Sequence, residues 1–144
     1  MHGGERSKHV ETLPKIGTVF VLDDDEDDQF LYRRVMERSG LVETVIQFNY
    51  PLDALEFFRK PEKPDVDVMI VDINMPQMDG FEFLERAFEE FGQEFARVVV
   101  VMLTTSINPK DMDRAKQVPV IRDYMNKPLT VENLEALQEL VHAA

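Results

Sequence analysis

The sequence contains no cysteine and no tryptophan, and none of its apolar runs approaches the length of a membrane span. The absence of cysteine excludes a disulfide framework, a thiolate zinc site and a cysteine nucleophile. It also fits a reducing compartment, so we expect a cytoplasmic protein. Residues 1–17 lack the apolar centre of a signal peptide, and we therefore expect no secretion and no association with a membrane.

Basic residues are also scarce in this chain. It has 16 lysines and arginines against 28 aspartates and glutamates, which gives a net charge of −12 at pH 7. Such a surface repels phosphate backbones, which argues against direct binding of nucleic acid. The 144 residues suffice for one domain with a sizeable core. We predict a flexible N-terminal tail at residues 1–16 and one domain at residues 17–144.

Five short apolar runs alternate with five helical patterns along the chain. The apolar runs lie at residues 18–22, 44–48, 66–71, 98–103 and 121–125. The helical patterns lie at residues 27–38, 51–60, 79–91, 108–117 and 130–141. The first and fourth runs are nearly continuous and rich in valine, which is typical of strands covered on both faces. Regular alternation of strand and helix predicts an α/β fold with a parallel sheet and helices on both of its faces.

Polar residues follow four of the predicted strands. Asp23 and Asp24 follow the first strand, and Asp72 follows the third. Thr104 follows the fourth strand, and Lys127 comes shortly after the fifth. Because the carboxyl ends of parallel strands meet at one edge of a sheet, we expect these side chains to lie close together. Three carboxylates beside one lysine call for a divalent cation, and oxygen ligands without histidine or cysteine favour Mg²⁺.

Each of these residues also has a simpler interpretation. An aspartate after the first strand could cap the next helix, although capping needs only one of the pair. Asp72 could be a turn residue, Thr104 an ordinary hydroxyl at a strand end, and Lys127 a surface charge. Residues 25–28 are interpreted as a solvated first helical turn, favoured by the helix dipole. Only the ordered set, with each residue at the end of its strand, supports a site.

Four motifs carry a resemblance to a known family, in the order VLDDDEDD, VDINMPQMDG, MLTTS and DYMNKPL. As an ordered set they resemble the receiver domain of two-component response regulators, in particular the stand-alone chemotaxis and phytochrome-linked types. The resemblance covers roughly residues 17–141. It implies a flavodoxin-like, doubly wound (βα)5 fold, whose five-stranded parallel sheet has the strand order 2-1-3-4-5.

The resemblance implies roles for Asp23, Asp24 and Asp72, which we call the acidic cluster, and for Asn74. Asp72 matches the phosphoacceptor of the family, whose carboxylate also contacts the metal ion. Asp23 and Asp24 match the acid pair that holds Mg²⁺, Asp24 more directly. Asn74 matches the position whose backbone carbonyl oxygen is a further metal ligand.

The resemblance also implies roles for residues after the fourth and fifth strands. Lys127 matches the lysine that pairs with the phosphoryl group, and Pro128 matches a proline that usually follows a cis peptide bond. Thr104 matches the switch hydroxyl, and Tyr124 matches the aromatic side chain that turns inward on activation. Thr105 stands where a smaller alanine or glycine is frequent, so we expect a slightly narrower entrance to the site.

The function implied by the resemblance is that of a single-domain response regulator in a two-component phosphorelay. Such a protein catalyses its own phosphorylation and dephosphorylation, but it is a signalling protein rather than an enzyme. The expected partners are a sensor histidine kinase, for which a phytochrome-type photoreceptor is one candidate, or a phosphotransfer protein. Phosphorylation is expected to change the face formed by helix four, strand five and helix five, for partner docking or homodimerisation. No output domain follows the fifth helix, so we expect no attached DNA-binding or enzymatic domain.

Three other classes of protein share some of these features. A phosphatase of the haloacid dehalogenase type uses a strand-end aspartate, but it needs a second aspartate where this chain has Asn74. A flavodoxin-like cofactor binder needs a phosphate-cradling loop where acids follow the first strand here. A receiver-shaped interaction module that is never phosphorylated is the third class, and the complete set of site residues argues against it.

Overall fold

The computed structural model describes residues 13–105 and 108–143. The elements follow each other as β1 (Ile16–Leu22), α1 (Glu26–Ser39), β2 (Val42–Phe48), α2 (Pro51–Arg59), β3 (Val68–Asp72), α3 (Gly80–Phe91), β4 (Val99–Thr104), α4 (Pro109–Lys116), β5 (Ile121–Asn126) and α5 (Val131–His142), with a 3-10 helix (Gly92–Phe95) between α3 and β4. The predicted alternation of strands and helices is therefore confirmed. Residues 1–12 of the predicted tail lie outside the described residues, and β1 begins at Ile16.

The five strands form one parallel sheet in the order β2-β1-β3-β4-β5, which confirms the expected fold. The central strands β3 and β4 are buried along their whole length, as their continuous apolar sequences indicate. The edge strands β2 and β5 are only partly covered, in line with their mixed sequences. Within the part of the chain that the structure describes, no helix combines the length and apolar character needed to cross a membrane.

Two apolar layers cover the faces of the sheet. One layer lies between the sheet and helices α2, α3 and α4, and the other lies between the sheet and helices α1 and α5. The first layer contains a chain of phenylalanine rings with centroid distances of 4.9 to 6.1 Å, which we call the aromatic layer. Its members are Phe20, Phe48, Phe57, Phe58, Phe88, Phe91 and Phe95. Rings at these separations add pairwise attraction to the free energy of burying their apolar surface.

The start of α3 is held close to the end of β3 by a glycine. A Cβ atom at Gly80 would lie 2.3 Å from the carbonyl oxygen of Asp72 and 2.8 Å from Cε of Met102. The backbone N–H of Gly80 donates to the carbonyl oxygen of Ile73 at 2.9 Å. One residue earlier, Asp79 caps α3 by a capping box with Glu82. The glycine and the cap together fix the path of the loop that follows Asp72.

Candidate functional site

Three aspartates converge at the carboxyl edge of the sheet. One carboxylate oxygen from each of Asp23, Asp24 and Asp72 lies within 4.8 Å of the other two. The convergence follows from the register of the parallel pair β1 and β3, in which Leu22 lies opposite Val71. Asp23 is 1% exposed and Asp72 is 4% exposed, whereas Asp24 is half-buried. The structure therefore brings together the acids that the strand-end argument selected.

Lys127 neutralises part of this negative charge. Its Nζ lies 3.0 Å from Oδ2 of Asp23, 3.4 Å from Oδ1 of Asp72 and 2.8 Å from Oδ2 of Asp28. The backbone N–H of Lys127 donates to the carbonyl oxygen of Thr104 at 2.7 Å, which ties the end of β5 to the end of β4. The peptide bond from Lys127 to Pro128 is cis, and Pro128 itself is exposed.

Asp23 is held by contacts from three sides. Its Oδ2 accepts a hydrogen bond from the hydroxyl of Tyr32 at 2.5 Å, and its Oδ1 accepts one from the backbone N–H of Asp25 at 2.9 Å. The side-chain amide of Gln29 donates to the carbonyl oxygens of Asp23 at 3.0 Å and of Phe48 at 2.8 Å. These bonds fix both the backbone and the carboxylate of Asp23, so this acid is preorganised.

The protonation of Asp72 is strongly perturbed by its surroundings. Burial and the neighbouring charge of Asp23 raise the pKa of Asp72 to about 7, although Lys127 and the backbone N–H of Asn74 oppose this rise. A cation bound between the acids would also oppose it, because positive charge favours the ionised carboxyl group. Burial lowers the pKa of Lys127, but hydrogen bonds to Asp28 and Asp23 outweigh it, so the net pKa is raised. Lys127 therefore stays positively charged.

The residues assigned to the switch and the entrance lie on β4, on β5 and in the loops that follow β3 and β4. Thr104 is fully buried at the end of β4, and Thr105 beside it is exposed. Tyr124 lies on β5 and is half-buried against the apolar layer of α2, α3 and α4. Burial and the charge of Asp123 raise the pKa of Tyr124, so its hydroxyl stays protonated. Asn74 is exposed in the loop after β3.

The interpretation of residues 25–28 as a solvated first helical turn was wrong at its two ends. Asp25 is the N-cap of α1, since its side chain accepts from the backbone N–H of Asp28 at 2.9 Å. This position leaves Asp23 and Asp24 outside the helix cap. Asp28 forms an ion pair with Lys127 and is 29% exposed. The inner side of the first turn faces the end of β1 rather than water.

Sequence reasoning also missed the contribution of α1 to the site. Gln29 and Tyr32 are buried, one turn apart, on the helix face that packs against the sheet. The sequence offers only a partial signal for them, because an amide and a hydroxyl three residues apart lie on one face of a helix, and the sequence does not show which way that face is turned. Polar side chains on the inner face of a helix that follows an acidic strand end are candidates for contact with those acids.

The chain matches the family model for the response regulator receiver domain over residues 19–139, and it therefore belongs to that family. The family membership defines a receiver domain of two-component signalling. Receiver domains of this kind interact with histidine kinases and phosphotransfer proteins.

Relatives and solved structures agree with this assignment. The chain is 25% identical to the chemotaxis protein CheY1 of Helicobacter pylori, over 85% of this chain and 94% of that protein. It superimposes on the crystal structure of a two-component response regulator from Cytophaga hutchinsonii with a TM-score of 0.77 and 27% identity, covering 88% of this chain and 97% of the other. Other curated relatives are longer, and the chain spans 16% of the sensor histidine kinase CheAY of Helicobacter pylori, to which it is 25% identical over 93% of this chain.

Proposed function

We propose that residues 17–144 act as a receiver in a two-component phosphorelay and accept a phosphoryl group on Asp72. The observation that carries this proposal is the position of the Asp72 carboxylate, which lies beside Asp23 and Asp24 and 3.4 Å from the ammonium group of Lys127. A buried nucleophile between a cation-binding acid pair and a fixed positive charge suits phosphoryl transfer, which depends on positioning and charge neutralisation.

The transfer step forms one bond and breaks one. An oxygen of the ionised Asp72 carboxylate attacks phosphorus, and the phosphorus–nitrogen bond to the histidine of the donor breaks. The electron pair of that bond stays on the imidazole nitrogen, which takes up a proton. The proposed donor is a sensor histidine kinase, for which a phytochrome-type photoreceptor is one candidate, or a phosphotransfer protein. Attack of water on the aspartyl phosphate later returns Asp72 and inorganic phosphate.

The residues of the acidic cluster fit Mg²⁺. Asp23, Asp24 and Asp72 offer oxygen ligands only, and the backbone carbonyl oxygen of Asn74 is the fourth proposed ligand. When bound, the ion would offset the negative charge on the transferred phosphoryl oxygens. Lys127 contributes a second positive charge, and its Nζ, which lies 3.4 Å from Oδ1 of Asp72, would pair with an oxygen of the phosphoryl group carried by that carboxylate.

The proposed switch uses side chains at the ends of β4 and β5. Thr104 would move to a phosphoryl oxygen on Asp72, and Tyr124 would turn from its half-buried position into the space that is released. The two packings exchange as a population shift, because only one of them makes the contact with the phosphoryl group. The face formed by α4, β5 and α5 would then dock a partner or a second copy of the chain. Thr105, which is exposed next to Thr104, is proposed to make the entrance to the site slightly narrower.

The composition supports two further proposals, that the protein does not bind nucleic acid directly and that it acts in the cytoplasm. The net charge of −12 disfavours direct binding of nucleic acid. A sequence without cysteine suits the reducing cytoplasm, where sensor kinases present their phosphorylated histidines.

The test is a mass spectrum of the intact protein after incubation with acetyl phosphate and Mg²⁺. We expect a single phosphoryl adduct that is lost in Asp72→Asn and in samples treated with EDTA. Asp65→Asn is the matched control, because Asp65 is an exposed acid before β3, at the other end of that strand. An adduct that persists on Asp72→Asn would reject Asp72 as the acceptor. No adduct on the unmodified sequence would favour an interaction module that is never phosphorylated.

A further inference from the structure

Tyr32 occupies a different environment from the other tyrosines of the chain. It is 2% exposed, and its hydroxyl donates to Oδ2 of Asp23 in a buried hydrogen bond of 2.5 Å. Tyr50 is 62% exposed, and Tyr124 is half-buried on β5. Packing alone does not require the hydroxyl of Tyr32, because phenylalanine would fill nearly the same volume without burying a polar atom.

The contacts of Asp23 show what the hydroxyl of Tyr32 supplies. Oδ2 of Asp23 receives two donors, the hydroxyl of Tyr32 and the ammonium group of Lys127 at 3.0 Å. Lys127 is shared with Asp28 and Asp72, so its position depends on the charge around it. If Lys127 turned to a phosphoryl group, Oδ2 of Asp23 would lose one donor while it stayed buried. A buried carboxylate oxygen without a donor is costly, and Tyr32 is the contact that remains.

We propose that Tyr32 is a positioning residue of the cation site: its hydroxyl orients Asp23 for a divalent cation and keeps Oδ2 hydrogen-bonded when Lys127 turns away. This inference rests on the proposed function, since it assigns Tyr32 a part in the same site. It adds a residue from the middle of α1 that none of the motifs used to recognise the family contains.

The chemistry of the phenol group suits this role. The hydroxyl of Tyr32 has a proton to donate, and its distance of 2.5 Å from Oδ2 of Asp23 directs that proton to the carboxylate. The ring is held by the apolar layer that also contains Met36 and Leu134. A rigid donor behind a metal ligand fixes its orientation, and loss of such a partner typically weakens metal binding by about tenfold to a hundredfold.

The experiment is a calorimetric titration of the EDTA-treated protein with Mg²⁺, for the unmodified sequence and for Tyr32→Phe. We expect Tyr32→Phe to weaken Mg²⁺ binding by about tenfold or more, because the variant removes only the hydroxyl. Met36→Leu is the matched control, since Met36 is 1% exposed on the same face of α1. Its affinity for Mg²⁺ should equal that of the unmodified sequence.

A second variant separates the hydroxyl from the packing of the ring. Tyr32→Met also lacks the hydroxyl but changes the shape of the side chain. If the hydroxyl orients Asp23, both variants lose a similar factor in Mg²⁺ affinity. If only Tyr32→Met loses affinity, or if Tyr32→Phe binds Mg²⁺ within about twofold of the unmodified sequence, Tyr32 serves packing alone and the proposal is overturned.

Tyrosine fluorescence gives a readout that does not depend on affinity. The chain has three tyrosines and no tryptophan, so its emission comes from tyrosine. Since the Tyr32 hydroxyl touches a proposed metal ligand, Mg²⁺ should change the emission of the unmodified sequence and of Tyr50→Phe. The change should be reduced in Tyr32→Phe, and an equal change in all three proteins would count against the proposal.

The two proposals fail in different ways. A protein that binds Mg²⁺ and is phosphorylated, but whose Tyr32→Phe variant behaves identically, overturns the role of Tyr32 alone. A protein that binds no Mg²⁺ and takes no phosphoryl group overturns the proposed function together with this inference.

Discussion

The acidic cluster at the edge of the sheet and the aromatic layer on one of its faces are both buried, but burial affects their free energies in opposite ways. Moving the rings of the aromatic layer out of water lowers the free energy of the folded state. Ionising the carboxyl group of Asp72 in the protein interior raises the free energy of the folded state, as the rise of its pKa to about 7 indicates. A chain that carries such a site must obtain its stability elsewhere, and the aromatic layer is well placed to provide it.

The largest expected effect lies in the aromatic layer. Phe58 is 2% exposed and contacts the rings of Phe20, Phe57, Phe91 and Phe95. Phe58→Ala should lower the free energy of unfolding by about 3–5 kcal/mol, because it removes buried surface and leaves a cavity. Chemical denaturation followed by circular dichroism measures this loss.

An exposed phenylalanine provides the control for this substitution. Phe30 is 61% exposed on α1, so Phe30→Ala should change the free energy of unfolding by less than about 0.5 kcal/mol. Equal losses for the two variants would contradict the proposed contribution of the aromatic layer to stability.

The acidic cluster should respond in the opposite direction. Asp72→Asn removes an acid that is 4% exposed and leaves Lys127 paired with Asp23 and Asp28. Without Mg²⁺ and above neutral pH, we expect the free energy of unfolding to rise by about 2 kcal/mol, because an ionised carboxylate is no longer buried beside Asp23. Denaturant titrations with EDTA measure the change. A clear loss of stability would mean that the pair between Asp72 and Lys127 outweighs the cost of burial.

The stability of the unmodified sequence should also depend on pH through Asp72. The pKa of Asp72 in the folded protein, about 7, lies above its ordinary value of 3.8, so the folded state binds the proton more tightly. The resulting stabilisation is fully present below pH 3.8 and is lost as the pH rises through about 7. Melting temperatures without Mg²⁺ should therefore fall between about pH 5 and about pH 8 more steeply than those of Asp72→Asn. Parallel curves for the two proteins would argue against this titration.

The smallest expected effect lies outside both regions, where α4 contacts the start of α3. The guanidinium group of Arg114 on α4 donates to Asp79 at 2.6 Å and lies 4.6 Å from the ring centroid of Phe81. The hydrogen bond to Asp79 also raises the pKa of Arg114. Both side chains are partly exposed, so Arg114→Gln should cost about 1 kcal/mol or less. Thermal unfolding at low and at high salt checks this, and the difference between the proteins should shrink at high salt.

Much of the fold could be predicted from the sequence, because alternating strands and helices leave few arrangements of a parallel sheet. The convergence of Asp23, Asp24 and Asp72 also follows from sequence, since it needs only the rule that strand ends share one edge. The element boundaries differ by one or two residues, and at helix starts such as those of α3 and α4 the reason is that the predicted range included the cap, Asp79 or Asn108, which stands outside its helix. The short 3-10 helix at Gly92–Phe95 has no periodic pattern that could indicate it.

The contacts of α1 with the site could not be derived from a sequence pattern in this way. Whether Asp28 and Tyr32 point at the acids or at solvent depends on how the helix is rotated about its axis over the sheet. That rotation is set by the packing of several side chains, among them Met36, and a single sequence shows only that one face is more apolar. The roles of Thr104 and Tyr124 stay predictions, because they concern a second packing of the chain.

The close approach at Gly80 limits which sequences can form this site. A methyl group at residue 80 would lie 2.3 Å from the carbonyl oxygen of Asp72, a distance at which the backbone itself must give way. The end of β3 therefore leaves no space for a side chain at residue 80, although the neighbouring site contains several buried charged groups. In an engineering experiment, enlargement of residue 80 by one carbon atom would displace either the proposed phosphoacceptor or the start of α3, without a change in any ionisable group.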